Sequence, residues 1–187
     1  LFQCGDFTPL PDPAYFFDLT QNDATYLEVP SPSTTTITYY NSQTAANSGT
    51  GEISNPSNYT PSNNSEQIFI RAENTNDASC FIIESFDIDI FDVEAIKPND
   101  IELCVQTNDT GKTQFNLTSQ DSAIFDPNQS IATHSITYHH IESEANSGAN
   151  PINSPSNFTN NTNPEKIWVR VENIEKPSCY AVTNFDL

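Results

Sequence analysis

The chain has 187 residues, with 25 acidic against 6 basic side chains and a formal net charge of −19. Binding a phosphate backbone needs clustered Lys and Arg, so nucleic acid is not an expected partner, and the scattered carboxylates read as a solvated shell. No apolar run approaches the roughly 20 residues needed to span a bilayer, so membrane insertion is not expected either.

Taken in chain order, the elements occur twice. "FDLT" at 17–20 is followed by "TTTITYY" at 34–40, then "ANSG" at 46–49 and "NPSNYT" at 55–60. "EQIFIRAEN" at 66–74 and "CFIIESFDIDI" at 80–90 close the first series. The second series runs "IELCV", "TQFNL", "HSITYHH", "ANSG" at 145–148, "SPSNFT" at 154–159, "EKIWVRVEN" at 165–173 and "CYAVTNFDL". Most counterparts lie 99 residues apart, and the step drifts to 98 or 100 near the start of each series. The chain is therefore two copies of one unit, read as domains 1–96 and 97–187, each long enough to bury its own core.

Within the shared phrase, Ile68, Ile70 and Ala72 alternate with Phe69, Arg71 and Glu73, and Ile167, Val169 and Val171 alternate with Trp168, Arg170 and Glu172. A period of two predicts strands with the aliphatic set facing the core. In "CFIIESFDIDI" the same rule puts Cys80, Ile82, Phe86 and Ile88 on one face. The stretches between strands are rich in Ser, Asn, Pro and Thr, the chemistry of turns. Single helical turns are expected only at "SQDSAIF" (119–125) and "ESEANSG" (142–148). The expectation is an all-β chain: two tandem immunoglobulin-like antiparallel β-sandwiches of six or seven strands each. The junction carries Pro98 and no glycine, which argues for a stiff connection.

Cys4 matches Cys104, and Cys80 matches Cys179. Their spacing is too wide for a zinc knuckle. Three pairings are open to four cysteines. Pairing within repeats, Cys4 with Cys80 and Cys104 with Cys179, gives both copies the same bond. One intradomain disulfide per copy is therefore expected, together with an oxidising, extracellular location.

The order "ELC … FNLT … ITYH … ANSG … NFT … IWVRVEN … SC" resembles the tandem repeats of about 100 residues in large Bacteroidetes surface proteins, described as adhesins or gliding-associated proteins and secreted by the type IX system. The resemblance implies a cell-surface repeat whose partners are neighbouring repeats of the same chain. Many such repeats carry an Asp-rich run after the first Cys. Here it is reduced to Asp6, Asp12 and Asp18 in one copy and to Asp109 and Gly111 in the other.

No catalytic constellation stands out, and the chain is read as a non-enzyme. His139 and His140 point to opposite faces of a strand, so they do not readily share a metal, and structural or surface roles are expected for the histidines. Arg71 and Arg170 are the only arginines and occupy the same repeat position, each followed by a glutamate two residues on, at Glu73 and Glu172. An ion pair across strands is the expectation there. The carboxylates Asp87, Asp89, Asp92, Glu94 and Asp100 crowd the junction and form the candidate calcium site, against the plainer reading of solvated edge charges. No other cofactor is expected. Trp168 and Tyr138 are the candidate contacts for a surface glycan or a protein ligand. The leading functional reading is a structural spacer or adhesion repeat giving reach and stiffness, as part of a homo-oligomer or filament; the alternative is a carbohydrate- or protein-binding module.

Overall fold

A computed structural model describes residues 1–5, 15–23, 34–104 and 112–187. The chain divides into two compact units, one of Leu1–Gln3 and Thr8–Ile90 and the other of Cys4–Phe7 and Phe91–Leu187. Cys4 and the residues just after Ile90 thus belong to the second unit, although in sequence they are part of the first repeat.

The first repeat contains β1 (Phe2–Gly5), β2 (Thr35–Tyr40), a short helix α1 (Gln43–Ser48), β3 (Ser65–Asn74) and β4 (Asp77–Asp92). These strands form one sheet in the order β1-β4-β3-β2. Helix α1 is under two turns long because both ends are fixed locally. The Ser42 hydroxyl accepts from Ala45 N–H at the start, and Gly49 ends the helix at φ 67°, a left-handed conformation that glycine adopts without a side-chain clash. The antiparallel register pairs Tyr39 with Ile70 and Ile68 with Phe86, which puts them on one face. There they pack with Phe17, Leu19 and Ile88 as the core.

The second repeat adds β5 (Gln114–Phe115), a helix α2 (Asp121–Ile124), β6 (His134–His139), α3 (Glu142–Ser147), β7 (Phe158–Thr159), β8 (Lys166–Asn173) and β9 (Tyr180–Asp186). Strands β6, β8 and β9 form a three-stranded antiparallel sheet with β8 central, and β5 pairs with β7. The β5–β7 pair, Phe115 opposite Phe158, repeats the isolated bridge between Phe17 and Tyr59 in the first copy. Ile167, Val169 and Val171 are fully buried, as the alternation of the shared phrase requires. They pack with Leu117, Ile124, Tyr138, Phe185 and Cys179.

The chain is mostly β, with two repeated domains and short helices. The helical turns expected at 119–125 and 142–148 are α2 and α3. Among the described residues, the first repeat has one four-stranded sheet and an isolated bridge, and the second has a three-stranded and a two-stranded sheet. That is fewer than the six or seven strands per copy expected from the pattern.

Candidate functional site

The cysteines overturn the expected pairing. Cys4 Sγ bonds Cys179 Sγ at 2.05 Å, with Cα atoms 5.2 Å apart, well inside the range a disulfide spans. Cys80 and Cys104 are exposed thiols. Neither intradomain bond is present, and the one disulfide runs from the first cysteine of the first repeat to the second cysteine of the second. When repeats follow one another, a bond from each copy to the next treats every copy alike just as a bond within each copy does. The bond closes a loop of 175 residues. The loop-entropy relation gives at most about 5 kcal/mol for a loop of that length. Cys179 is placed by the turn before β9, where its carbonyl accepts from Asn173 N–H at 3.0 Å and its own N–H donates to Lys176 O at 2.8 Å.

Around this bond, the end of β4 and the residues just after it are anchored on the β6-β8-β9 sheet. The Asp92 carbonyl lies 2.8 Å from His134 Nε2 and 3.5 Å from Asn173 Nδ2. Val93 is buried in the same cluster as Cys179, with Phe91, Ala95 and Ala181 packed against it.

The two arginines act as staples. Arg71 donates from Nε and Nη2 to Glu73 Oε2 at 2.9 and 2.6 Å, and from Nη1 to the carbonyls of Ala46 and Asn47 at 2.8 and 3.2 Å. Its Nη2 also reaches Ala78 O at 3.3 Å, and the guanidinium lies 3.5 Å over the Phe81 ring. Arg170 repeats this on Glu172, Ala145, Asn146, Pro177 and Tyr180. The carbonyls at the end of a helix have no partner within it, so each guanidinium caps the last turn of α1 or α3 while tying it to a strand. The expected ion pair exists, but within one strand rather than across two, and the pocket around it is structural.

A tyrosine–aspartate pair also recurs. Tyr39 donates to Asp23, and Tyr138 donates to Asp121 and to the Leu117 carbonyl. Burial first, then the carboxylate it faces, pushes the Tyr138 hydroxyl well above the ordinary phenol range. Burial, helped by Asp18, raises Asp23 as well. Sequence reading missed this pair, although the aspartate recurs three residues after each "FDLT" or "FNLT". A second recurrent carboxylate closes a loop in each copy: Glu66 accepts from Tyr59 Oη, Ser62 N–H and Asn63 N–H, and Glu165 from Asn161 N–H and its side-chain amide.

The histidines are structural in their contacts. His139 is fully buried between Thr137 Oγ1 and the Ala149 carbonyl, each at 2.9 Å. Burial holds it below the ordinary imidazole value. His140 lies 3.2 Å from Glu165.

The candidate ligand residues do not converge. Tyr138 is a core residue, 3% exposed, with its hydroxyl committed internally. Trp168 pairs with His139 across the strands and so lies on the opposite face of the sheet, half-buried. The junction carboxylates are also dispersed. Asp87 is exposed, Asp89 accepts from Ser65 Oγ at 2.7 Å, Asp92 is buried, Glu94 is half-buried, and Asp100 Oδ1 accepts from Asp186 N–H at 2.9 Å. Among the described residues, no three His, Cys, Asp or Glu side chains come together as a metal site. Of the reduced Asp-rich run, Asp18 caps the turn at Leu19–Asn22, accepting from Thr20 N–H. Asp6, Asp12, Asp109 and Gly111 lie outside the described residues.

This arrangement, two equivalent β-rich repeats joined by a cross-repeat disulfide with matched internal staples, defines a tandem structural repeat. A family model described as the Flavobacterium inter-domain disulphide bond domain matches residues 1–94 and again 100–187, and the chain belongs to that family. No curated protein matches the chain.

Proposed function

We propose that this chain is a load-bearing spacer within a large bacterial surface protein, an adhesin or filament of the kind exported by the type IX system. It acts outside the cell, mechanically rather than by catalysis. The observation that carries the reading is the Cys4–Cys179 bond, which encloses 175 residues. Tension applied at the two ends of such a chain passes through the sulfur bridge and bypasses the residues it encloses, loading only the few residues outside it, β9 among them. An oxidising extracellular setting keeps such a bond closed. Matched buried staples in both copies fit a role in which every unit resists deformation equally.

Single-molecule stretching of the oxidised chain from its two ends tests this. No step longer than about 30 Å, the span of the residues after Cys179, should occur until reductant is added. Reduction should then allow extension by about 600 Å, the span of the freed loop. Steps of several hundred Å in the oxidised protein would overturn the reading.

A further inference from the structure

We propose that the outer face of the β6-β8-β9 sheet, around Trp168, is a binding site for a neutral glycan, with one pyranose ring stacked on the indole and held by Asn184 and the Lys166–Asp186 pair. This goes beyond the load-bearing reading: it gives a ligand to a face that the folded core does not use.

Trp168 is the only tryptophan of the chain. It stands on the face of β8 opposite the buried Ile167, Val169 and Val171, so the core does not require it. The strand register sets it in a row, with His139 on β6 to one side and Asn184 on β9 to the other, and Lys166 lies opposite Asp186 in the row beyond. The row on the other flank is closed, because Arg170 is buried there and bonded to the last carbonyls of α3. At its β6 end the Trp168 row is walled by the loop after α3, where the Ala149 carbonyl lies 2.9 Å from His139 Nδ1. Toward β9 the side chains reach solvent: Trp168, Asn184 and Asp186 are half-buried and Lys166 is exposed.

The groups beside the indole can hydrogen-bond in both senses. Lys166 Nζ donates to Asp186 Oδ1 at 2.8 Å and to Asn184 Oδ1 at 3.3 Å, which ties the polar side chains together. The Asn184 amide N–H groups, the indole N–H and the second Asp186 oxygen stay uncommitted among the described residues. Strand spacing puts Asn184 about 5 Å from Trp168, and the side-chain repeat puts Lys166 about 7 Å from it. A flat aromatic face with donors and acceptors at that distance suits a sugar ring. The ring's C–H groups lie on the indole, and its hydroxyls, each both donor and acceptor, meet the polar rim. Charge selects among sugars. Lys166 and Asp186 offset each other, while the whole chain carries a net −19, so a sulfated or carboxylated glycan gains nothing locally and is repelled at long range.

The first repeat supplies an internal comparison. Phe69, Ser85, Gln67 and Asp87 occupy the same register positions. Phenylalanine has no N–H, an amide replaces the ammonium of Lys166, and Gln67 Nε2 already donates to Ser85 Oγ at 3.3 Å. The site therefore belongs to the second repeat alone.

The test is amide NMR of the full isotope-labelled chain, titrated separately with cellotetraose, maltotetraose, mannotetraose and a heparin tetrasaccharide. One stacked ring with a few exposed hydrogen bonds should bind with a Kd of about 1 mM. At least one neutral tetrasaccharide should give saturable shifts at Lys166–Trp168 and Asn184–Asp186 and spare Gln67–Phe69 and Ser85–Asp87. Trp168→Ala should weaken that binding by about tenfold or more. Asn184→Ala, which leaves the indole in place, should weaken it about fivefold. No saturable shift with any neutral tetrasaccharide, a response confined to the heparin fragment, equal shifts in both repeats, or binding unchanged in both variants would each overturn the site. None of these outcomes bears on the stretching of the disulfide-closed chain, so the load-bearing reading stands or falls separately.

Discussion

The two repeats share the contacts of their arginines and core tyrosines and differ at their cysteines. Arg71 and Arg170 make the same contacts to a glutamate, a helix end and an aromatic ring. Tyr39–Asp23 and Tyr138–Asp121 are the same pair. Yet Cys179 is buried and bonded where Cys80 is an exposed thiol. Residues that fix the fold are constrained by their own copy, while the cysteines are constrained by the next one. That separates what each domain needs to fold from what links one repeat to the other.

The largest effect is expected at the staples. Arg170→Met removes the donors to two helix-end carbonyls and leaves Glu172 beside an apolar neighbour, which should cost about 3–5 kcal/mol. Arg71→Met should cost the same within error in the first repeat. Urea unfolding followed by a probe in each copy measures both, and a large loss in only one would show that the matched geometry hides unequal roles.

Next in size is the bond itself. Cys4→Ser should lower stability by about 2–4 kcal/mol, while Cys80→Ser, at an exposed thiol, should change it by less than about 0.5 kcal/mol. Thermal unfolding of the oxidised variants separates them. Equal losses would mean that the two second-position cysteines are equally engaged.

The smallest effect sharpens one difference inside the fold. His139 occupies the place of Tyr40, and each side chain meets a threonine two residues earlier. Burial lowers the His139 pKa from its ordinary 6.5. The unfolded chain therefore binds this proton more readily than the folded one, so stability is fully present above pH 6.5 and falls as the pH drops through the depressed folded value. The transition of the second repeat should drop on acidification from pH 7 to 5, and His139→Tyr should flatten that slope. An unchanged slope in the variant would remove His139 as its source.

Much of the fold was legible in the sequence because it obeys local rules. The 99-residue offset, the buried Ile167, Val169 and Val171, and the helical turns at 119–125 and 142–148 all follow from periodicity and turn chemistry. The staples were half legible: two lone arginines with a glutamate at i+2 marked the place, but not that α1 and α3 would present their last carbonyls there. Tyr138 was misplaced as a surface contact because a strand tyrosine gives no sign of which face it takes until its partner, Val169, is known. The disulfide was illegible for a different reason. Equivalence between copies fixes which cysteines are alike but not whether a bond closes within a copy or steps to the next, and only the burial of Cys179 against the segment after β4 decides that.

The covalent link runs between the two repeats and not within either one. Peptide mapping without reduction, on protein produced under oxidising conditions, tests it most directly. One linked pair of peptides is expected, carrying Cys4 and Cys179, with Cys80 and Cys104 alkylated as free thiols. Peptides joining Cys4 to Cys80, or Cys104 to Cys179, would contradict it.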